Sequence, residues 1–224
     1  MSDYTRFGIY YLPPHGDLAR FGAQWLGWDI ETGAPCAQFD VPDINTITAT
    51  PRKYGFHGTL KPPFRLATGS DLTGLTQAVS DLAADLAPVQ IAKLQPAKLG
   101  RFWALVPHGD TDGLAQLAAR IVQDLDAFRA PPTEAELEKR RKSNLSPAQE
   151  THLQTWGYPY VLDQFKFHMT LSGRLSADHS EIVQSALAQH LPPLPQQHDV
   201  NQISLVGERI DGRFETIKRF DLTG

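Results

Sequence analysis

Two histidines of this chain occupy near-identical settings. Phe56-His57-Gly58-Thr59-Leu60 and Phe167-His168-Met169-Thr170-Leu171 agree at four of five positions. Downstream, Gly100-Arg101-Phe102 matches Gly212-Arg213-Phe214, and the two histidine-to-glycine offsets are 43 and 44. A single His-x-Thr carries almost no information. Two of them, each followed in register by a second match, mark a duplicated unit, although two copies are too few for a solenoid. In a strand, residues i and i+2 point to the same face, so His57 and Thr59 share one face and His168 and Thr170 another. If two lobes face each other across a pseudo-dyad, two imidazoles and two hydroxyls converge on one cleft. That set suits in-line displacement at phosphorus. A neutral imidazole takes a proton from attacking water and a protonated one supplies the leaving oxygen, roles suited to a group with a pKa near 6.5. The threonine hydroxyls can donate to non-bridging phosphate oxygens.

Other residues join this set on weaker grounds. Lys61 and Lys166 share strand parity with their histidines and are expected to reach a phosphate in the cleft, although a surface lysine that snorkels is an equal expectation for each. Tyr54 enters by proximity to His57 and Arg101 by the repeat, where Gly-Arg-Phe also reads as hairpin-turn chemistry. Tyr10 reads as a packed aromatic of the first strand that can line the cleft. The run Lys139-Arg140-Arg141-Lys142 reads as a solvated helix face, with a basic arm closing over an anionic substrate as the other reading. The remaining six histidines have no matched partner, and Cys36 lies in a polar loop without a paired histidine motif.

The elements that must carry these residues follow from pattern. Phe7–Leu12 reads as a strand ended by Pro13-Pro14, and Asp17 as the cap of a helix bearing Leu18, Phe21 and Trp25. Residues 29–52 read as an irregular excursion. Phe56–Leu60 reads as a strand that Pro62-Pro63 confines to an edge or an end. Ser70 or Asp71 opens a helix with Leu72, Leu75, Val79, Leu82 and Leu86 on one face. Strands follow at Val89–Leu94 and Phe102–Val106, then a helix from near Asp110 bearing Leu114, Leu117, Ile121, Val122, Leu125 and Phe128. The polar stretch 133–156 reads as two solvated helices, the second after Pro147, forming an arm. A strand at Phe165–Leu171, a helix from Ser176, and strands near Gln202–Val206 and Phe214–Phe220 complete an α+β arrangement.

Composition bounds the rest. At 224 residues the chain makes one domain or two small lobes around a cleft. One cysteine excludes an internal disulfide and any multi-cysteine metal site, and fits a reducing compartment. Lys and Arg number 21 against 25 Asp and Glu, a net charge of −4 that argues against a general nucleic-acid coat. No apolar run is long enough to span a membrane, and Met1-Ser2-Asp3-Tyr4-Thr5-Arg6 lacks a signal-peptide layout. The expectation is a soluble cytoplasmic protein.

The paired His-x-Thr motifs resemble those of the 2H phosphoesterase superfamily. The stretches from Arg52 to Phe64 and Trp156-Gly157-Tyr158-Pro159-Tyr160-Val161 resemble, within it, the phosphonate-metabolism branch (the DUF1045 family), over nearly the whole chain. The resemblance implies a single bilobal domain over 1–224, with two pseudo-symmetric antiparallel sheet lobes and outer helices around a central cleft. The duplicated units would span about 54–107 and 165–221, with a polar insertion at about 131–157. It implies metal-independent phosphodiester chemistry without a cofactor, with His57 and His168 catalytic and Thr59 and Thr170 on the phosphate. The implied substrate is a small anionic cyclic phosphate, namely 5-phosphoribosyl 1,2-cyclic phosphate opening to ribose 1,5-bisphosphate. RNA or nucleotide 2′,3′-cyclic ends are the alternative substrate, and a non-catalytic phosphometabolite-binding module the alternative class.

Overall fold

The computed structural model describes residues 4–224. The chain begins with strand β1 (Tyr4–Tyr11) and helix α1 (Asp17–Leu26). A short excursion holds β2 (Trp28–Asp29), β3 (Ala34–Pro35) and α2 (Ile44–Ile47). The first motif runs into β4 (Gly58–Phe64), with His57 just before it, followed by α3 (Leu72–Asp85), β5 (Val89–Ile91), β6 (Lys93–Leu99) and β7 (Phe102–His108). After α4 (Asp112–Asp124) the polar arm forms α5 (Glu134–Arg141) and α6 (Pro147–Trp156). The second motif ends in β8 (Met169–Thr170), then come α7 (Ala177–His190), β9 (His198–Val200), β10 (Gln202–Arg209) and β11 (Phe214–Asp221).

Local chemistry accounts for most boundaries. Asp71 caps α3 by accepting from the Gly74 amide (2.7 Å), and Ser176 caps α7 through the His179 amide (3.2 Å). Both arm helices begin with capping boxes, Thr133 with Glu136 and Ser146 with Gln149, which lets them form with little apolar support. Asp17 does not cap α1; Gly16 holds that position and Asp17 is the first helical residue, paired with Arg20. The strand expected at 165–171 shrinks to Met169–Thr170 because only those two residues find ladder partners, on β4 and β7.

Seven strands form one antiparallel sheet in the order β11-β10-β1-β4-β8-β7-β6. Its centre is a seam where β4 and β8 share the single pair Gly58↔Met169. The duplicated order is real: strand, helix, two strands, turn, strand occurs as β4-α3-β5-β6-β7 and again as β8-α7-β9-β10-β11. Corresponding strands even meet each other, β4 with β8 and β5 with β9. The halves of the sheet nevertheless do not coincide with the copies. The β6–β7 hairpin of the first copy lies against β8 of the second, and the β10–β11 hairpin of the second lies on the β4 side, separated from it by β1. Each half therefore combines one copy's motif strand with the other copy's hairpin.

Helices α3, α4 and α7 cover one face of the sheet, sealing Phe7, Ile9, Tyr11, Leu60, Leu105, Ile203 and Leu205 into the main core. The opposite face carries Tyr10, Val206 and Phe214 in a smaller cluster with Trp28. The prolines that pointed to an edge lie inside β4, in the middle of the sheet. Beyond Gly58, however, β4 has no ladder partner on the β8 side among the described residues, so Pro62 and Pro63 remove no hydrogen bond there. That parting of the two half-sheets opens the cleft.

Candidate functional site

The seam sets the geometry of the two motifs. Because Gly58 pairs with Met169 in antiparallel sense, His57 falls opposite Thr170, and Thr59 opposite His168. Each histidine thus lies across from the other motif's threonine. The two histidines stand on a diagonal, for which neighbouring strands give separations of about 7–8 Å, room for one tetrahedral phosphorus between them. Gly58 has no alternative here, since a Cβ on it would come within 2.4 Å of the Phe167 ring.

Both imidazoles are tethered alike. His57 Nδ1–H donates to the Gly55 carbonyl oxygen (2.9 Å) and His168 Nδ1–H to that of Lys166 (2.8 Å). A carbonyl only accepts, so a proton sits on Nδ1 in each ring and Nε2 is the nitrogen free of that tether. The His57 Nε2 lone pair receives the Thr59 hydroxyl proton (2.9 Å). Thr170 aligns with Ala104 of β7.

The two rings differ in surroundings. Tyr10, fully buried, stacks on His57 with centroids 3.8 Å apart and planes at 18°. Burial pushes the His57 pKa down to about 4; the Gly55 hydrogen bond opposes this and the nearby His168 adds to it. His57 is therefore neutral near pH 7. The ring next to His168 is Phe102, tilted and 5.8 Å away.

A cleft of about 510 Å³ opens between the half-sheets, with Thr59, Lys166 and His168 on its polar side and Phe102, Tyr158 and Tyr160 among its apolar walls. Tyr54, half-buried, stacks on Phe214 at 5.2 Å with its ring 6.4 Å from His57. Of the residues expected on sequence grounds, His57, Thr59, His168, Thr170, Tyr54 and Lys166 are thus gathered at the seam. Arg101 is not. It is an exposed residue of the β6–β7 turn, where Gly100 takes φ 61°, and its carbonyl receives the Leu175 amide (2.7 Å). The Gly-Arg-Phe repeat marks two hairpin turns; of its phenylalanines Phe102 lines the cleft, while Phe214 is buried against Tyr54 and Tyr10. Their signal was present in the repeat, one residue after the arginine. Tyr158 and Tyr160 were visible in the Gly-Tyr-Pro-Tyr segment but carried no pattern that distinguished wall from core.

Lys61 is a correction. Strand parity placed it in the cleft, yet it is 2% exposed on the helix side of the sheet. Pairing runs Tyr10↔Thr59 and then Ile9↔Lys61, so one extra residue on β4 flips the parity after Leu60. Its Nζ donates to the Val122 carbonyl (2.8 Å), 3.6 Å from Asp126, and burial lowers its pKa to about 8. Lys61→Met should consequently lower unfolding stability by about 1–3 kcal/mol, the cost of stranding a buried acceptor. Urea titration of both proteins checks this, with preference among phosphate substrates expected to stay as in the wild type.

Among the described residues no three His, Cys, Asp or Glu side chains gather in a way that would hold a metal ion. Among the same residues no helix is long and apolar enough to cross a membrane.

Fold and site together define an α+β protein built on an antiparallel sheet, with a duplicated His-x-Thr strand at its central seam. Residues 59–215 match the family described as "Protein of unknown function (DUF1045)", and the chain belongs to that family. The match begins at Thr59, so it includes His168 and Thr170 and stops two residues short of His57. The chain is 37% identical over 195 residues to a "Ribose 1,5-bisphosphate phosphokinase PhnN" of Janthinobacterium sp. (strain Marseille), covering 83% of this chain and 43% of that protein. A protein of the same name from Laribacter hongkongensis (strain HLHK9) is 33% identical over 174 residues, covering 76% and 40%. The chain thus spans about two fifths of the length of these relatives. Among solved structures, E. coli LigT complexed with 3′-AMP superposes with a TM-score of 0.46 at 17% identity, covering 98% of this chain and 99% of that one. TT0787 of Thermus thermophilus also gives 0.46 at 17% identity, covering 98% of each.

Proposed function

We propose that this protein is a 2H-type phosphodiester hydrolase that opens a small cyclic phosphate without a metal ion. The observation that carries the reading is the pair of imidazoles, each fixed through Nδ1 to a carbonyl two residues upstream, which leaves Nε2 of each as the nitrogen for proton transfer, that of His57 once the Thr59 hydroxyl gives way to water. In this scheme neutral His57 takes a proton from water through Nε2 as the water oxygen bonds to phosphorus. The opposite phosphorus–oxygen bond breaks, and His168 Nε2–H protonates the departing alkoxide. The product is a phosphomonoester. With water in its place at His57 Nε2, the Thr59 hydroxyl turns to a non-bridging oxygen, which Thr170 and Lys166 also serve, and on which negative charge is concentrated in the transition state. The domain is read as one bilobal unit, its exchanged hairpins holding the halves together.

The substrate we propose is 5-phosphoribosyl 1,2-cyclic phosphate. Cleavage at the 2-oxygen yields ribose 1,5-bisphosphate, the compound in the names of the two curated relatives. The aromatic walls Phe102, Tyr158 and Tyr160 favour a second reading, in which a nucleobase of a 2′,3′-cyclic nucleotide stacks in the cleft. Phosphorus NMR of the products from both compounds, with and without EDTA, tests the proposal. Turnover of the ribosyl compound at the higher kcat/KM, unchanged by chelation, is expected. A higher kcat/KM for the nucleotide would install the second reading. Turnover of neither would leave a binding module, and loss with EDTA restored by zinc or manganese would make it a metallohydrolase.

A further inference from the structure

Behind the cleft lies a second cavity that the scheme above does not use. It holds about 190 Å³, and Tyr158 forms part of the wall of both spaces. On β4, Pro62 faces the cleft while Pro63 borders the second cavity, so the two are neighbours along one strand. The lining is cationic, with Arg6, Arg65, Arg129, Lys139 and Arg140 against the single acid Glu136.

Three of these cations are fixed by partners. Arg6 is held by Glu208 at 2.5 Å, and Arg129 by Asp126 at 2.7 Å and the Thr155 carbonyl at 2.9 Å. Arg65 donates to Glu136 (3.0 Å), whose carboxylate also serves the Thr133 amide (2.7 Å), and Arg65 Nε is buried without an acceptor among the described residues. The other two, Lys139 and Arg140, are exposed on α5 and have no carboxylate partner among the described residues. The Arg140 guanidinium lies over the Tyr158 ring, 4.6 Å from its centroid. Glu208, Asp126 and Glu136 offset part of this charge, and Asp126 is shared with Lys61, so Lys139 and Arg140 remain as cations with no carboxylate of their own. Such uncompensated cations suit the near-dianionic charge of a phosphomonoester at neutral pH, and guanidinium forks fit its oxygens in pairs.

We propose that this cavity seats a second phosphate of the substrate, a terminal phosphomonoester remote from the reacting diester, with Tyr158 between the two groups. As a statement about the substrate it rests on the cyclic-phosphodiesterase reading and narrows it to compounds carrying two phosphates. As a statement about a site it stands on the cavity alone. The arm of α5 and α6 then supplies substrate selection and takes no part in bond breaking.

Ribose 5-phosphate carries only the remote group and probes the site by calorimetric titration at fixed salt. Binding to the wild-type protein is expected, at least about 10-fold weaker in Lys139→Gln/Arg140→Gln, the loss of charge-assisted hydrogen bonds. The His57→Ala/His168→Ala protein should bind it as the wild type does. If the histidine pair abolishes binding and the arm pair does not, the phosphate sits at the seam and the inference fails. It fails too if the wild type binds ribose 5-phosphate no better than ribose. Arm-dependent binding in a protein that turns over no cyclic phosphate would sustain the site and discard the reaction.

Discussion

His57→Ala and His168→Ala should each lower kcat/KM for the cyclic phosphate by roughly 10²–10⁴-fold, the contribution of one positioned acid or base. The double variant should fall well short of the product of the two losses. Once one proton transfer is lost, the other acts on a reaction that no longer proceeds in concert. The seam makes these substitutions informative, because neither imidazole is needed for the core. Both rings sit on the face away from α3, α4 and α7, and each spends its Nδ1 on a carbonyl of its own loop. Steady-state rates of three purified variants, with circular dichroism to verify folding, decide the matter. A large loss in one single variant only, at saturating substrate, would rule out a two-histidine mechanism.

The second large effect is on pH dependence. Burial under Tyr10 holds His57 near a pKa of about 4, so the base remains neutral as the solution is acidified through 6.5. kcat/KM is expected to fall on the acid side only as pH approaches 4, and on the alkaline side as the acid loses its proton. Both limbs belong to the interacting pair. Tyr10→Ala admits water to the ring and should return the acid limb toward 6.5, a loss of about 30-fold at pH 5 relative to the wild type. Tyr10→Phe keeps the stacked ring and should keep the limb. Identical acid limbs in all three proteins would remove Tyr10 as the positioning residue. The same shift bears on stability. The unfolded chain binds a proton at His57 near 6.5 and the folded chain only near 4, so the stability present above 6.5 is lost as pH falls toward 4.

How much of this could be read from residues alone varied with the range of the interaction involved. The helices followed from apolar spacing and caps, as at Asp71 and Ser176, because those signals lie within a turn of the residue they govern. The two motifs were located by repetition, and the shared tether at Nδ1 follows from the same local geometry in each. Lys61 was misplaced because a bulge is a property of the pairing with β1, and nothing in Gly58–Phe64 announces where an extra residue will be accommodated. The exchange of hairpins between the copies was hidden for the same reason. Duplication says which strands correspond and is silent about which copy's strand each will pair with. Arg101 was overrated because the repeat marks a turn, with the useful phenylalanine one position further on.

The seam also has a consequence for how the molecule comes into being. Gly58 and Met169 are 111 residues apart, as are Val89 and Val200 on the neighbouring pair of strands. Closing so long a loop returns few contacts until late, which slows the step that brings the ends together. During synthesis the first copy leaves the ribosome with β7 prepared for a neighbour whose residues have yet to be translated. Its bare edge must stay unpaired for the whole of the arm and beyond, the interval in which edges of this kind invite wrong partners. Two capping boxes and a charge-laden helix keep that intervening arm polar in the meantime. The acid and base meet only when the second motif emerges, so an incompletely made chain carries His57 with nothing opposite it.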